Sequence, residues 1–171
     1  MGAIVVLIGA PGAGKTKTGK RVARALGVPH LDTDKMIVAE HGPVTELFAT
    51  QGEARFRELE RAAVAEALAQ DAVVSLGGGA VLDPRTRAAL RGHDVVQLTV
   101  SKSGILQRLA EAGPEAIETR PLLRDGGPEA WERLVAARQS IYDEVATTTI
   151  DTSHRPFDLV AEEVLAWLRS R

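Results

Sequence analysis

Residues 9–16 read GAPGAGKT, immediately after the apolar run AIVVLI. The spacing fits G-x-x-x-x-G-K-[ST], with Gly9, Gly14, Lys15 and Thr16 in the defining places and Gly12 adding backbone freedom inside the loop. In such a loop successive backbone N–H groups turn inward as an anion nest, here those of Gly12, Ala13 and Gly14 with that of Lys17 behind them. A helix beginning near Lys15 adds its positive end. Phosphate is the natural guest: Lys15 reaches the outer phosphates, and the Thr16 hydroxyl is placed to coordinate Mg2+. The chemistry is nucleoside triphosphate binding, and the loop is silent about what accepts the phosphoryl group.

Other residues carry the acceptor chemistry. LDTD at 31–34 closes a strand-like stretch, and strand alternation is expected to point Asp32 and Asp34 to one side, with Thr33 pointing away. Two carboxylates at the carboxyl end of a strand face the ligand crevice of an open α/β sheet, where one can bind a metal-held water and the other an alcohol. Arg138 sits within a helical stretch at 129–146, among the apolar Trp131, Leu134, Val135, Ile141 and Val145. A guanidinium so placed needs an anion, either an internal carboxylate or that of a ligand, for which its planar fork is well suited. Arg57 lies three residues before Glu60, which can orient it. Three glycines, Gly77, Gly78 and Gly79, close another apolar run, where they weaken the strand unless something approaches the backbone closely.

These groups need a scaffold, and the apolar pattern supplies one. Runs at 3–9, 72–78, 94–100 and 147–152, with a weaker one at 28–34, alternate with helical segments. That alternation predicts a three-layer α/β/α unit with a five-stranded parallel sheet covered on both faces. In the last helix Phe157, Val160, Ala161, Val164, Leu165 and Leu168 share one face. The pattern fails between Glu111 and Pro128, so a lid is expected at about 111–127. The 171 residues suit a single domain over 1–171, and a formal charge of −2 gives no field to attract nucleic acid. With no cysteine and four scattered histidines, any metal is expected to be held mainly by oxygen. No apolar run approaches the roughly eighteen residues of a membrane span. A cytoplasmic protein is expected, with no membrane partner.

Several stretches together match one family. They are GAPGAGKT, LDTD, FRELE at 56–60, SLGGGAV at 75–81, TRPLL at 119–123, RQSIYDEVA at 138–146 and DTSHRP at 151–156. In that order, over nearly the whole chain, the set resembles the shikimate kinases of the nucleoside-monophosphate-kinase-like branch of P-loop proteins. The resemblance implies a P-loop NTPase fold with a mobile lid. It implies transfer of the γ-phosphoryl group of ATP to the 3-hydroxyl of shikimate, giving shikimate 3-phosphate and ADP on the route to aromatic amino acids, with Mg2+ as cofactor.

The resemblance also implies roles. Asp34 accepts from the shikimate hydroxyls and takes the proton of the attacking one, while Asp32 holds Mg2+ through water. Arg57 and Arg138 bind the substrate carboxylate, and the ring lies against Gly77, Gly78 and Gly79, with Gly78 in contact. Arg120 is the lid arginine that closes over the nucleotide, and Arg155 lies beside adenine. The lid also carries Glu111, Glu115 and Glu118, with Arg108 preceding it, which makes it acidic. A monomer is expected. A kinase for another polyol acid such as gluconate is disfavoured by LGGGAV, TRPLL and Arg138. A non-catalytic binding protein is disfavoured by retained Lys15, Thr16, Asp32 and Asp34.

Overall fold

A computed structural model describes residues 2–113 and 126–171. Its central strand, β1 (Val5–Gly9), is buried at every position, as a strand covered on both faces must be. Period-two alternation divides its side chains between two cores. Val5 and Leu7 join Val22 and Ala23, Ile105, and Val160, Ala161 and Val164 on one face. Val6 and Ile8 join Val64, Ala67 and Leu68, Val81, Leu90 and Tyr142 on the other.

The neighbours of β1 are β3 (Val73–Ser75) and β4 (Val95–Thr99), with β2 (His30–Asp32) and β5 (Thr148–Asp151) outermost. The order is β2-β3-β1-β4-β5 and every pair is parallel. The expected five-stranded three-layer α/β unit is therefore present. Helices α1 (Lys15–Leu26), α2 (Thr33–His41), α3 (Val44–Leu68), α4 (Pro84–Ala89), α5 (Lys102–Ala112), α6 (Gly127–Val145) and α7 (Phe157–Arg169) connect and cover the strands. No helix among the described residues is long and apolar enough to cross a membrane.

Where the elements differ from the sequence expectation, the cause is local. The run at 72–78 is strand only to Ser75, because the three glycines lead into a 3-10 turn at Ala80–Leu82. The stretch at 28–34 is strand only to Asp32: Thr33 and Asp34 open α2, and the Asp32 carboxylate caps it by accepting from the Lys35 N–H at 3.2 Å. Of the expected lid, Glu111 and Ala112 continue α5 and Gly127 opens α6. Arg120, Glu115 and Glu118 lie outside the described residues. Helix α3 breaks at Gly52, whose φ of 82° and ψ of 168° are not helical, and a third apolar group of Ile37, Leu47, Phe56, Leu59 and Ala63 fixes α2 against α3.

Candidate active site

The phosphate loop runs from the end of β1 to the start of α1. Gly9 has a φ of 144°, and a Cβ there would collide with the Leu98 carbonyl of the neighbouring strand. Gly14, the left-handed N-cap of α1 with a φ of 96°, would meet the Phe157 ring. Both glycines are thus required by backbone angle and by space. Within the loop the Lys15 ammonium donates to the carbonyls of Gly9 at 2.5 Å and Ala10 at 3.1 Å. Burial holds its pKa down to about 8, opposed by the charges of Asp34 and Asp32 and reinforced by Arg138.

The Thr16 hydroxyl donates to the second carboxylate oxygen of Asp32 at 2.6 Å. Two hard oxygen donors side by side at the phosphate loop fit Mg2+. Asp34 reaches the same cleft from the first turn of α2, not from the strand, so strand alternation is not what aligns the two aspartates. Burial and then the neighbouring Asp32 raise the Asp34 pKa, with Lys15 and Arg57 pulling the other way. Thr33, expected to point away, is fully buried, and its hydroxyl accepts from the Gly77 N–H at 3.1 Å.

Each of the three glycines faces a different predicted side chain. A Cβ on Gly77 would run into the Asp34 carboxylate, and one on Gly79 would lie 3.0 Å from the Arg57 guanidinium. One on Gly78 would lie 3.3 Å from Pro11 of the phosphate loop and 3.6 Å from the Arg138 guanidinium. Arg57 is held by Glu60 at 2.8 Å, with Glu53 at 3.7 Å. Glu60 is 3% exposed, and burial raises its pKa against the hydrogen bond and charge of Arg57. Thus Lys15, Thr16, Asp32, Asp34, Arg57, Arg138 and Gly77–Gly79 converge on one cleft.

Arg155 does not join them. Its guanidinium donates to the Asp151 carbonyl at 2.7 Å and pairs with Glu163 at 2.6 Å, beside the end of β5. The Lys17 ammonium lies 5.4 Å from the centre of the Phe157 ring. Sequence reasoning also missed supporting residues. Arg108 donates to Gly12 O at 2.7 Å and to Thr152 O at 2.5 Å, and its guanidinium stacks 4.7 Å from the Phe157 ring centre. The fully buried Thr152 hydroxyl lies 2.8 Å from Ala13 O and 3.0 Å from Thr99 O, bracing the loop from β5. On α6 the Trp131 indole donates to Pro11 O at 2.8 Å and the Tyr142 hydroxyl to Gly78 O at 2.6 Å. Tyr142 follows Arg138 by one helical turn, a spacing that could have flagged it; in the sequence Arg108 stands out only as preceding the lid and Thr152 only as part of DTSHRP, and no periodicity points either at the phosphate loop.

Comparison with known proteins gives a consistent result. Residues 11–169 match the family model for shikimate kinase. The shikimate kinase of Salinispora tropica is 45% identical over 172 residues, covering 99% of this chain and 100% of that protein. That of Corynebacterium efficiens is 44% identical over 164 residues, covering 95% of this chain and 94% of its own. Among solved structures, the shikimate kinase of Acinetobacter baumannii in complex with shikimate superposes with a TM-score of 0.87 at 31% identity, over 99% of this chain and 94% of that one.

Proposed function

The chain belongs to the shikimate kinase family, and from that premise we propose that it transfers the γ-phosphoryl group of ATP to the 3-hydroxyl of shikimate. The observation that carries this reading is the meeting of the phosphate loop with an acceptor pocket built from Asp34, Arg57, Arg138 and three glycines.

In phosphoryl transfer the protein has little covalent chemistry to do: it aligns donor with acceptor and neutralises charge. The backbone nest at 12–17 and Lys15 hold the triphosphate. Thr16 and Asp32 would hold Mg2+, Asp32 through water, and the ion supplies compensation for the negative charge of the phosphate oxygens. Arg57 and Arg138 clamp the shikimate carboxylate, each charge-assisted and fork-shaped. Glu60 sets the direction of Arg57. Asp34 accepts from the acceptor hydroxyl and takes its proton as the oxygen attacks; a carboxyl whose pKa burial has raised is the better proton acceptor near neutral pH. The glycines leave room for the ring and the transferring group, with Gly78 in contact. Arg120 closes over the nucleotide, excluding water and adding charge. Arg155 lies beside adenine once nucleotide is bound, which requires it to exchange Glu163 or Asp151 for the base. The protein acts as a monomer in the cytoplasm, where ATP is plentiful.

The direct test is ADP release from ATP and Mg2+ with shikimate, gluconate, a nucleoside monophosphate or no acceptor, with the Lys15→Ala protein as blank. Shikimate-dependent release alone is expected. Release only with gluconate would mean that the arginine pair serves another acid, and no release with any acceptor would leave a binding protein.

A further inference from the structure

Helix α6 has Trp131 and Tyr142 as its fully buried residues, and each spends its one polar hydrogen on a backbone carbonyl of a different loop of the site. The two lie eleven residues apart (142 − 131), close to three helical turns, and so on one face. Trp131 reaches Pro11 in the phosphate loop and Tyr142 reaches Gly78 in the glycine run. Pro11 and Gly78 themselves face each other, so the two loops that hold donor and acceptor meet beside this one helix. Arg138 stands between the two anchors, one turn ahead of Tyr142.

We infer that Tyr142 is a positioning residue for the acceptor, acting through Gly78 and Arg138, and that Trp131 does the same for the nucleotide through Pro11. The inference rests on the shikimate kinase reading above. Filling the core behind the glycines needs only a ring, and phenylalanine would do that; the hydroxyl adds direction. Its proton fixes the Gly78 carbonyl at 2.6 Å, and because the peptide is planar and trans, the Gly79 N–H is fixed in the opposite direction. With its proton committed to Gly78, the phenol oxygen keeps lone pairs to accept with, and the Arg138 guanidinium lies against the same Gly78, 3.6 Å from where a Cβ would stand. Burial pushes the Tyr142 pKa up, opposed by the charge and hydrogen bond of Arg138, so the hydroxyl remains a neutral donor. A ring with no room to move and a hydroxyl tied to the glycine loop keep both the Gly78–Gly79 peptide and the Arg138 fork in the carboxylate-binding pose.

The test is a steady-state comparison of wild type, Tyr142→Phe and Trp131→Phe, with thermal melting of each and calorimetric binding of shikimate without nucleotide. Tyr142→Phe preserves the ring, and one hydrogen bond is expected to be worth about a three- to tenfold rise in KM and Kd for shikimate. The KM for ATP should stay within twofold of wild type, which a general loosening of the fold would not allow. Trp131→Phe should show the reverse split, with a raised KM for ATP. An unchanged shikimate KM in Tyr142→Phe, or an equal rise in both constants, overturns the inference while leaving the reaction intact. If the wild type shows no shikimate turnover, the functional reading falls and takes this inference with it.

Discussion

At the scale of single residues, the site under the proposed function works by charges held where water would normally weaken them. Arg138 is the sharpest case, since the role proposed for it needs a planar fork and not merely a positive charge. Arg138→Lys keeps the charge and loses the bidentate geometry, so the shikimate KM should rise about tenfold or more with the ATP KM near normal. An unchanged shikimate constant would remove Arg138 from the carboxylate. Lys15 makes a second prediction. Burial lowers its pKa to about 8, so in the ligand-free protein the cation is lost as pH rises through that value. Phosphate binds the charged form, and each pH unit above about 8 should therefore weaken ATP binding by up to tenfold. Titration calorimetry between pH 7 and 9.5 reads this directly; a Lys15→Met protein should bind weakly with no such slope, and tighter binding at high pH would reverse the assignment.

At the scale of elements, what matters is where each helix begins, ends or breaks. The strand expected to run to residue 34 ends two residues earlier, since Asp32 serves as the cap of α2, and this start brings Asp34 up against Gly77. Helix α3 breaks at Gly52, five residues before Arg57, in a region of backbone angles that only glycine occupies at low cost. A Cβ at Gly52 would meet nothing within 4 Å, so the effect of Gly52→Ala is purely conformational. The substitution should destabilise the protein by about 1–3 kcal/mol, measured by denaturant unfolding. A neutral or stabilising result would show that the break is not a feature of the folded protein.

At the scale of the whole molecule, the two cores lie on opposite faces of one sheet and share β1, so neither can unfold without exposing the other. A single cooperative thermal transition is expected, with light scattering giving the mass of one chain. Because the site draws on the ends of β1, β2, β3 and the starts of α1 and α2, a ligand there couples to the entire fold. At about one hundred times its Kd, shikimate should add about 2.7 kcal/mol, or about 5–10 °C in Tm for a domain of this size. Gluconate at the same concentration should leave Tm unchanged, and an equal shift with both acids would mean that the pocket does not discriminate between them.

The sequence alone determined the layer architecture and the phosphate-loop motif, and it marked the residues proposed for the acceptor. Apolar β-branched runs alternating with helical segments point to a parallel sheet covered on both faces, and the glycine-lysine-threonine spacing suits a bound phosphate. It also placed Arg138 as a cation that needs an anion, because an arginine within an apolar stripe is costly otherwise. Only the tertiary structure decided the rest. That Asp34 reaches the cleft from a helix follows from the Asp32 cap, whereas Thr33 bracing Gly77 and Arg108 and Thr152 supporting the phosphate loop depend on contacts between residues distant in the chain. Arg108 and Gly12 are 96 residues apart, and Thr152 and Ala13 are 139 apart. Such pairs follow no periodicity, because the packing of one element against another sets them and the local pattern that forms each element does not.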